Sequence, residues 1–322
     1  MYNPTMTTRR AWPAGVAASM ALGGAVLTCG AGTAQEFAVD PEAAEQAIER
    51  ALVQTGSVLL PPRAIEVVPF FAFQRNENEI AGVPVLVNGQ LAGSIITLES
   101  NQFSGGVAAR AGLPWAGQLQ ISVPLTYTDR DQEHRVLGAT IGSDSSNLSG
   151  LGDVQLSYTQ QFRGNSGGLP SLLGTVTYDN NTGDTDEDNG MFLGSGFQEI
   201  GVQLTATQRQ DPLVFSSRLG YAVALEDDNV KPGDELSFGV DVFLAVNPET
   251  SLQFGLSLAY SDDAEMDGEQ LPGSDRFAAS LNLGIATILR RNTLLDTTVS
   301  IGLTEDATDF GVGVSLPIRF TF

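Results

Sequence analysis

From residue 64 to residue 322 the chain keeps returning to one pattern, in which every second side chain is apolar. The last stretch shows it plainly. Phe310, Val312, Val314, Leu316, Ile318, Phe320 and Phe322 alternate with Gly311, Gly313, Ser315, Pro317, Arg319 and Thr321. A period of two places the two sets on opposite faces of a β-strand. The same alternation runs through Leu119–Tyr127, Leu236–Val246, Leu252–Tyr260 and Phe277–Ile285. In all, about twelve segments read as strands: 64–75, 94–113, 117–129, 152–163, 170–180, 195–208, 213–226, 235–247, 250–262, 275–290, 293–304 and 309–322. Each is near the roughly 10 residues that carry a strand across a bilayer. Pro317 removes one ladder donor, which a strand tolerates near its end.

The connections decide between a soluble sandwich and a membrane barrel. One set is short: LPWAG, RGNSGGLP, QRQDPL, NPET and RRN. The other is long or acidic: DRDQEHRVLGATIGSDSSNLSG, DNNTGDTDEDNG, EDDNVKPGDE, SDDAEMDGEQLPGSD and TEDATD. Short turns at one end and long loops at the other is the layout of an outer-membrane barrel. Tyr127, Tyr178, Tyr260 and Phe310 fall beside the long loops, and Phe162, Phe215, Phe320 and Phe322 beside the short turns. That makes an aromatic girdle at each interface. The chain is therefore expected to be all-β: a twelve-stranded antiparallel transmembrane barrel with both barrel termini on the periplasmic side. Its ending resembles the C-terminal signal by which such barrels are recognised for assembly, with Ile318, Phe320 and Phe322 carrying the likeness. The expected partners are outer-membrane lipid, lipopolysaccharide and the barrel-assembly machinery.

Residues 1–34 read as an export signal: Arg9-Arg10, the apolar stretch AGVAASMALGGAVL, and a small-residue cleavage site at Gly32-Thr33-Ala34. The single Cys29 falls within it and is removed or lipidated, so no disulfide is expected. The formal charge of −22, with Lys231 the only lysine, excludes nucleic acid as a partner. Hydrophobic content of 42% excludes a disordered acidic chain.

Residues 35–63 form a periplasmic segment ahead of the barrel at 64–322. Asp40 caps and Pro41 starts a helix over about 41–55, with Ala44, Ile48, Ala51 and Leu52 as its apolar stripe and Gly56 as its stop. So short a helix is not stable alone. It is expected to dock, either as a linker or as a plug at the barrel mouth.

The stretch ERALVQTGSVLLPPRAIEVVPFFAF, at 49–73, resembles the segment leading into the barrel of functional-amyloid (Fap) secretion pores and their relatives. GLGDVQLSYTQQF, at 150–162, resembles a strand motif of the outer-membrane family named for the meta-pathway of phenol degradation. Both resemblances imply an outer-membrane barrel that conducts something, a small solute or an exported polypeptide.

A twelve-stranded lumen is intermediate between barrels filled by side chains and open pores. The charged residues read as inward-facing are Arg110, Arg163, Arg218, Arg319, Glu66, Asp153, Glu199 and Asp241. They either pair across the lumen or line a solute path. The expected function is a channel, narrowed by the 41–55 helix; the alternative is a closed structural barrel acting through its acidic loops. No cofactor is expected, and the Asp-rich loops lack the ligand spacing of a calcium loop. Gly164-Asn165-Ser166-Gly167-Gly168 fits G-x-S-x-G, but a nucleophilic serine needs a base. The only histidine, His134, falls in an acidic loop at the other end of the barrel. No enzymatic activity is expected.

Overall fold

The structure is a computed structural model that describes residues 52, 56–87, 90–137, 139–164, 168–186, 191–227 and 229–322. Fourteen strand segments form its main sheet, and two pairs of them are single strands interrupted once, so twelve strands build the wall. They are β1 (Ala64–Val87), β2 (Gln90–Leu113), β3 (Gly117–Val136), β4 (Ala139–Leu151 and Gln155–Arg163), β5 (Ser171–Asn180), β6 (Gln198–Gln210), β7 (Leu213–Ala224), β8 (Glu235–Asn247), β9 (Thr250–Ser261), β10 (Arg276–Arg290), β11 (Thr293–Gly302) and β12 (Phe310–Ser315 and Ile318–Thr321). Each pairs antiparallel with the next. β12 returns to β1, with Val312 opposite Phe73 and Arg319 opposite Glu66, so the sheet closes.

The burial is that of a protein turned inside out. Along β3, Leu119, Ile121, Val123, Leu125 and Tyr127 are exposed, while Gln118, Thr126 and Thr128 are buried. Water would not tolerate an apolar patch of that extent. Hydrocarbon does, and only a closed barrel leaves no unpaired edge in it. The fold is that of a bacterial outer-membrane barrel. On the outer face Phe73, Phe103 and Tyr127 form a row, with Phe73 and Phe103 centred 4.8 Å apart. Pro317 is where β12 breaks: it is fully buried, and its carbonyl accepts the Leu294 N–H at 3.0 Å.

Two parts of the wall differ from the sequence reading. β1 and β2 are 24 residues each, where spans of 64–75 and 94–113 were expected. The stretch 129–150, expected as an irregular loop, is a β-hairpin that continues β3 and returns as the first part of β4, with Val136 opposite Ala139. β12 pairs with β1 no further than Arg75, and β5 pairs with β4 only from Gln155 to Arg163. Beyond those points β1 to β4 form a four-stranded blade standing on the long-loop end of the barrel. Its sequence does not announce a strand, because outside the bilayer neither face is immersed in hydrocarbon and the apolar alternation lapses. Backbone pairing alone continues the ladder.

Candidate functional site

The lumen is the site that the fold creates, and its wall is best defined near the short turns. Glu66 on β1 is 2% exposed. Its neighbours in register are Arg110 on β2 and Arg319 on β12. Arg110 Nη1 lies 3.4 Å from Glu66 Oε1, and Arg319 Nε 3.4 Å from Oε2. Arg110 Nε also donates to Gln120 Oε1 on β3 at 2.7 Å. Four adjacent strands are thus laced together by one polar row. Asp296 on β11 interacts electrostatically with Arg110. A second lumen group is built on other strands: Arg218 Nη2 on β7 is 2.8 Å from Asp241 Oδ2 on β8, and Gln253 Nε2 on β9 donates to Asp241 Oδ1 at 2.8 Å. Buried charges persist only when paired, and each of these has an ionic partner, while Arg319 Nη2 and Asp241 Oδ2 have no hydrogen-bond partner among the described residues.

Next to this polar row lies an apolar cluster, which is unusual for a barrel interior. Val214, Phe243, Ala286 and Leu294 come from β7, β8, β10 and β11 and pack around Leu52, all of them buried. Leu52 belongs to the segment ahead of the barrel, and it is held as the end of a helix would hold it. The Ser57 N–H donates to the Leu52 carbonyl at 2.8 Å across Gly56, whose φ of +69° is the left-handed conformation that glycine supplies at a helix stop. The chain then crosses the mouth. The hydroxyls of Ser57 and Ser216 meet at 2.9 Å, Thr207 Oγ1 donates to the Ser57 carbonyl at 3.3 Å, and the Leu60 N–H donates to Gln118 Oε1 at 2.9 Å. Residues 52 and 56–60 therefore touch β3, β6, β7, β8, β10 and β11, strands from around the circumference. Ala44, Ile48 and Ala51, the rest of the expected stripe, lie outside the described residues.

The long-loop end is built differently. Asp153, in the break of β4, is a clasp rather than a free lumen charge. Its Oδ1 accepts from the Gly183 N–H at 2.8 Å, and its Oδ2 from the Ser195 N–H at 2.6 Å. A side chain at Gly194 would put its Cβ 1.9 Å from that carboxylate, so only glycine fits. The clasp draws the segment after β5 inward until the Leu193 carbonyl lies close to Gly152, beside Pro124 and Thr126 of the lumen face. Glu199 faces Asp179 across the β5–β6 pair and has Glu235 nearby, so carboxylates gather at this end. Arg163 is exposed at the end of β4, where its Nε donates to the Pro170 carbonyl at 2.9 Å. Of the eight charges read as inward, Glu66, Arg110, Arg319, Arg218 and Asp241 are brought together in two lumen groups. Asp153, Glu199 and Arg163 are not part of them.

Ile318 and Phe320 lie on the outer face of β12, opposite Val67 and Ile65, and Phe322 is exposed. Ser166 lies outside the described residues. His134 is on β3 in the blade, not in a loop, with its Nε2 2.8 Å from Gln132 Nε2. The sequence reading missed Phe243, Val214 and Leu294 as lumen residues, although a visible signal existed. Phe243 falls in the otherwise small and polar set of β8 that faces inward, and a bulky aromatic there requires something to cover it.

The family described as "Putative MetA-pathway of phenol degradation" matches residues 99–320. Among solved structures, the chain is similar to the COG4313 outer membrane channel from Pseudomonas putida F1 at 16% identity and a TM-score of 0.60, covering 82% of this chain and 97% of that one. It aligns more loosely with the translocator domain of the autotransporter NalP from Neisseria meningitidis (8% identity, TM-score 0.42, 88% of this chain and 98% of that one). The transport unit of the autotransporter AIDA-I from Escherichia coli aligns at 13% identity and a TM-score of 0.40, over 88% of this chain and 99% of that one. The first of these supports the twelve-stranded barrel as a fold; the other two matches are too distant to add to it.

Proposed function

We propose that this chain, which belongs to the family described as "Putative MetA-pathway of phenol degradation", is a passive outer-membrane channel for small solutes that rests closed. The observation that carries the reading is the seating of Leu52 among Val214, Phe243, Ala286 and Leu294. A purely structural barrel has no need of a separate segment to cover apolar side chains in its own mouth. A gate does, because the contact is apolar, modest in area and confined to a few residues at the end of a covalent tether. The family description favours a small solute over a polypeptide as the cargo. The paired charges of Glu66, Arg110 and Arg319 then act as the wall of the path rather than as a binding site, setting its polarity at the narrow end. The outward Ile318, Phe320 and Phe322 are the proposed contact with the assembly machinery.

The test is planar-bilayer conductance of the full chain beside a chain lacking residues 36–63. A channel with a resident plug gives rare or brief openings in the first and steady openings in the second. Silence from both contradicts the channel and favours a closed barrel that works through its loops.

A further inference from the structure

The blade carries a feature that conduction does not use. On its outer face, beyond the aromatic row of Phe73, Phe103 and Tyr127, the register sets Glu77, Glu99 and Asp131 side by side on β1, β2 and β3. Adjacent strands are about 4.8 Å apart, and like charges directly opposite one another are destabilising. The next row places Thr97 between Glu79 and Glu133. Glu77, Thr97, Glu99, Asp131 and Glu133 line an open groove of about 410 Å³, walled on its far side by Ser143, Asp144 and Ser145 of β4. Two cations border it. Arg75 contacts Glu77 and Glu99 at 3.4 and 3.0 Å, and Arg135 contacts Glu133 at 2.6 Å. Asp131 has no ion pair among the described residues. At the centre, Thr97 is 7% exposed and its Oγ1 has no hydrogen-bond partner. A buried hydroxyl left unsatisfied costs free energy, and it lines the groove.

We propose that this groove is a binding site for a soluble polyamine. An ammonium group supplies what the groove lacks: positive charge against the carboxylate row and N–H donors for both carboxylate oxygens and Thr97 Oγ1. A chain of ammonium groups separated by methylenes can address two rows of the sheet at once. A bare metal ion fits less well, because among the described residues no three acidic or histidine side chains converge to hold one. The position suits a solute rather than a lipid headgroup. Glu99 lies four residues beyond Phe103, about 13 Å further along the strand than the aromatic row.

The probe is spermine, titrated calorimetrically into the full chain in lipid nanodiscs, with magnesium chloride titrated in parallel. The expected result is saturable one-site binding. It weakens about tenfold or more, roughly the loss of one charge-assisted contact, in Glu99→Gln/Asp131→Asn, and by a smaller measurable factor in Thr97→Val. The variant Glu265→Gln/Glu269→Gln, altered in a different acidic loop, should bind as the parent does. Heat-modifiable mobility on gels confirms that each variant has folded. If the double variant does not fold, Thr97→Val decides alone. Equal weakening by both double variants would reduce the binding to general attraction to a chain of charge −22 and overturn the proposal. So would magnesium binding with the same sensitivity to the variants while spermine binds without it.

Discussion

The two ends of this barrel solve opposite problems. At the short-turn end the wall is laced by a buried carboxylate shared between two arginines, and the mouth is filled by an apolar contact from a separate segment. At the long-loop end the carboxylates outnumber their cations, and order comes from acceptors that pin loop backbone, as Asp153 pins Gly183 and Ser195. In the proposed gate, closure at the first end depends on a side chain that can leave without disturbing the wall. Closure at the second depends on backbone held by hydrogen bonds. The first is suited to movement and the second to a fixed narrowing.

The largest effect that separates the two ends should come from Glu66→Ala. It leaves Arg110 and Arg319 buried together without their counter-ion, and breaking a buried pair in this way costs about 3–5 kcal/mol. Unfolding in urea followed by gel mobility should show the whole barrel shifting to lower denaturant. Glu66→Gln restores hydrogen bonding but not charge and should fall between. Leu52→Ala comes next, since removing a buried leucine typically costs about 2–5 kcal/mol. Here the loss falls on the seated segment and not on the wall. The barrel's urea midpoint should stay within error while the open fraction in bilayers rises. If the midpoint drops as far as for Glu66→Ala, the segment is a structural part of the barrel and the contrast between the ends is lost.

At the other end, Asp153→Ala removes the acceptor for two backbone N–H groups, at about 1–3 kcal/mol for donors left unsatisfied. Limited proteolysis should then cut between residues 180 and 198, where the parent resists, with the barrel intact. The smallest effect concerns Asp234, in the loop before β8. The Tyr221 hydroxyl, which donates to its Oδ2 at 2.5 Å, and then Lys231 hold its carboxyl below the usual carboxylate range. A carboxyl lowered in the folded state stabilises above its unfolded pKa of about 4 and loses that contribution as the pH falls through the folded value. Tyr221→Phe should therefore lower thermal stability slightly at pH 7 and not at all at pH 2. An equal difference at both pH values would mean that packing, not the charge, carries the contact.

The wall was legible because hydrocarbon imposes a strict rule on every second residue, and Leu119–Tyr127 or Leu236–Val246 obey it without exception. The blade was not, since residues 129–136 leave the bilayer and no longer need an apolar face to remain a strand. The seat of Leu52 was half legible: Leu52 could be placed on an apolar stripe and Gly56 at its stop, yet the partners Val214, Phe243 and Leu294 become visible only once parity assigns them to the lumen. The Asp153 clasp depends on Gly183 and Gly194, about 30 and 40 residues away in sequence, approaching a carboxylate. No spacing rule marks that approach.

The proposed gate is tested most directly by tying it shut. Ser57 and Ser216 meet at 2.9 Å, so Ser57→Cys/Ser216→Cys can form a disulfide between the segment and β7. Conductance should be abolished when the pair is oxidised and restored by a reductant in the same bilayer, with neither single variant responding. Unchanged conductance in the fully oxidised protein would mean that solute passes without moving this segment, and would contradict the gate.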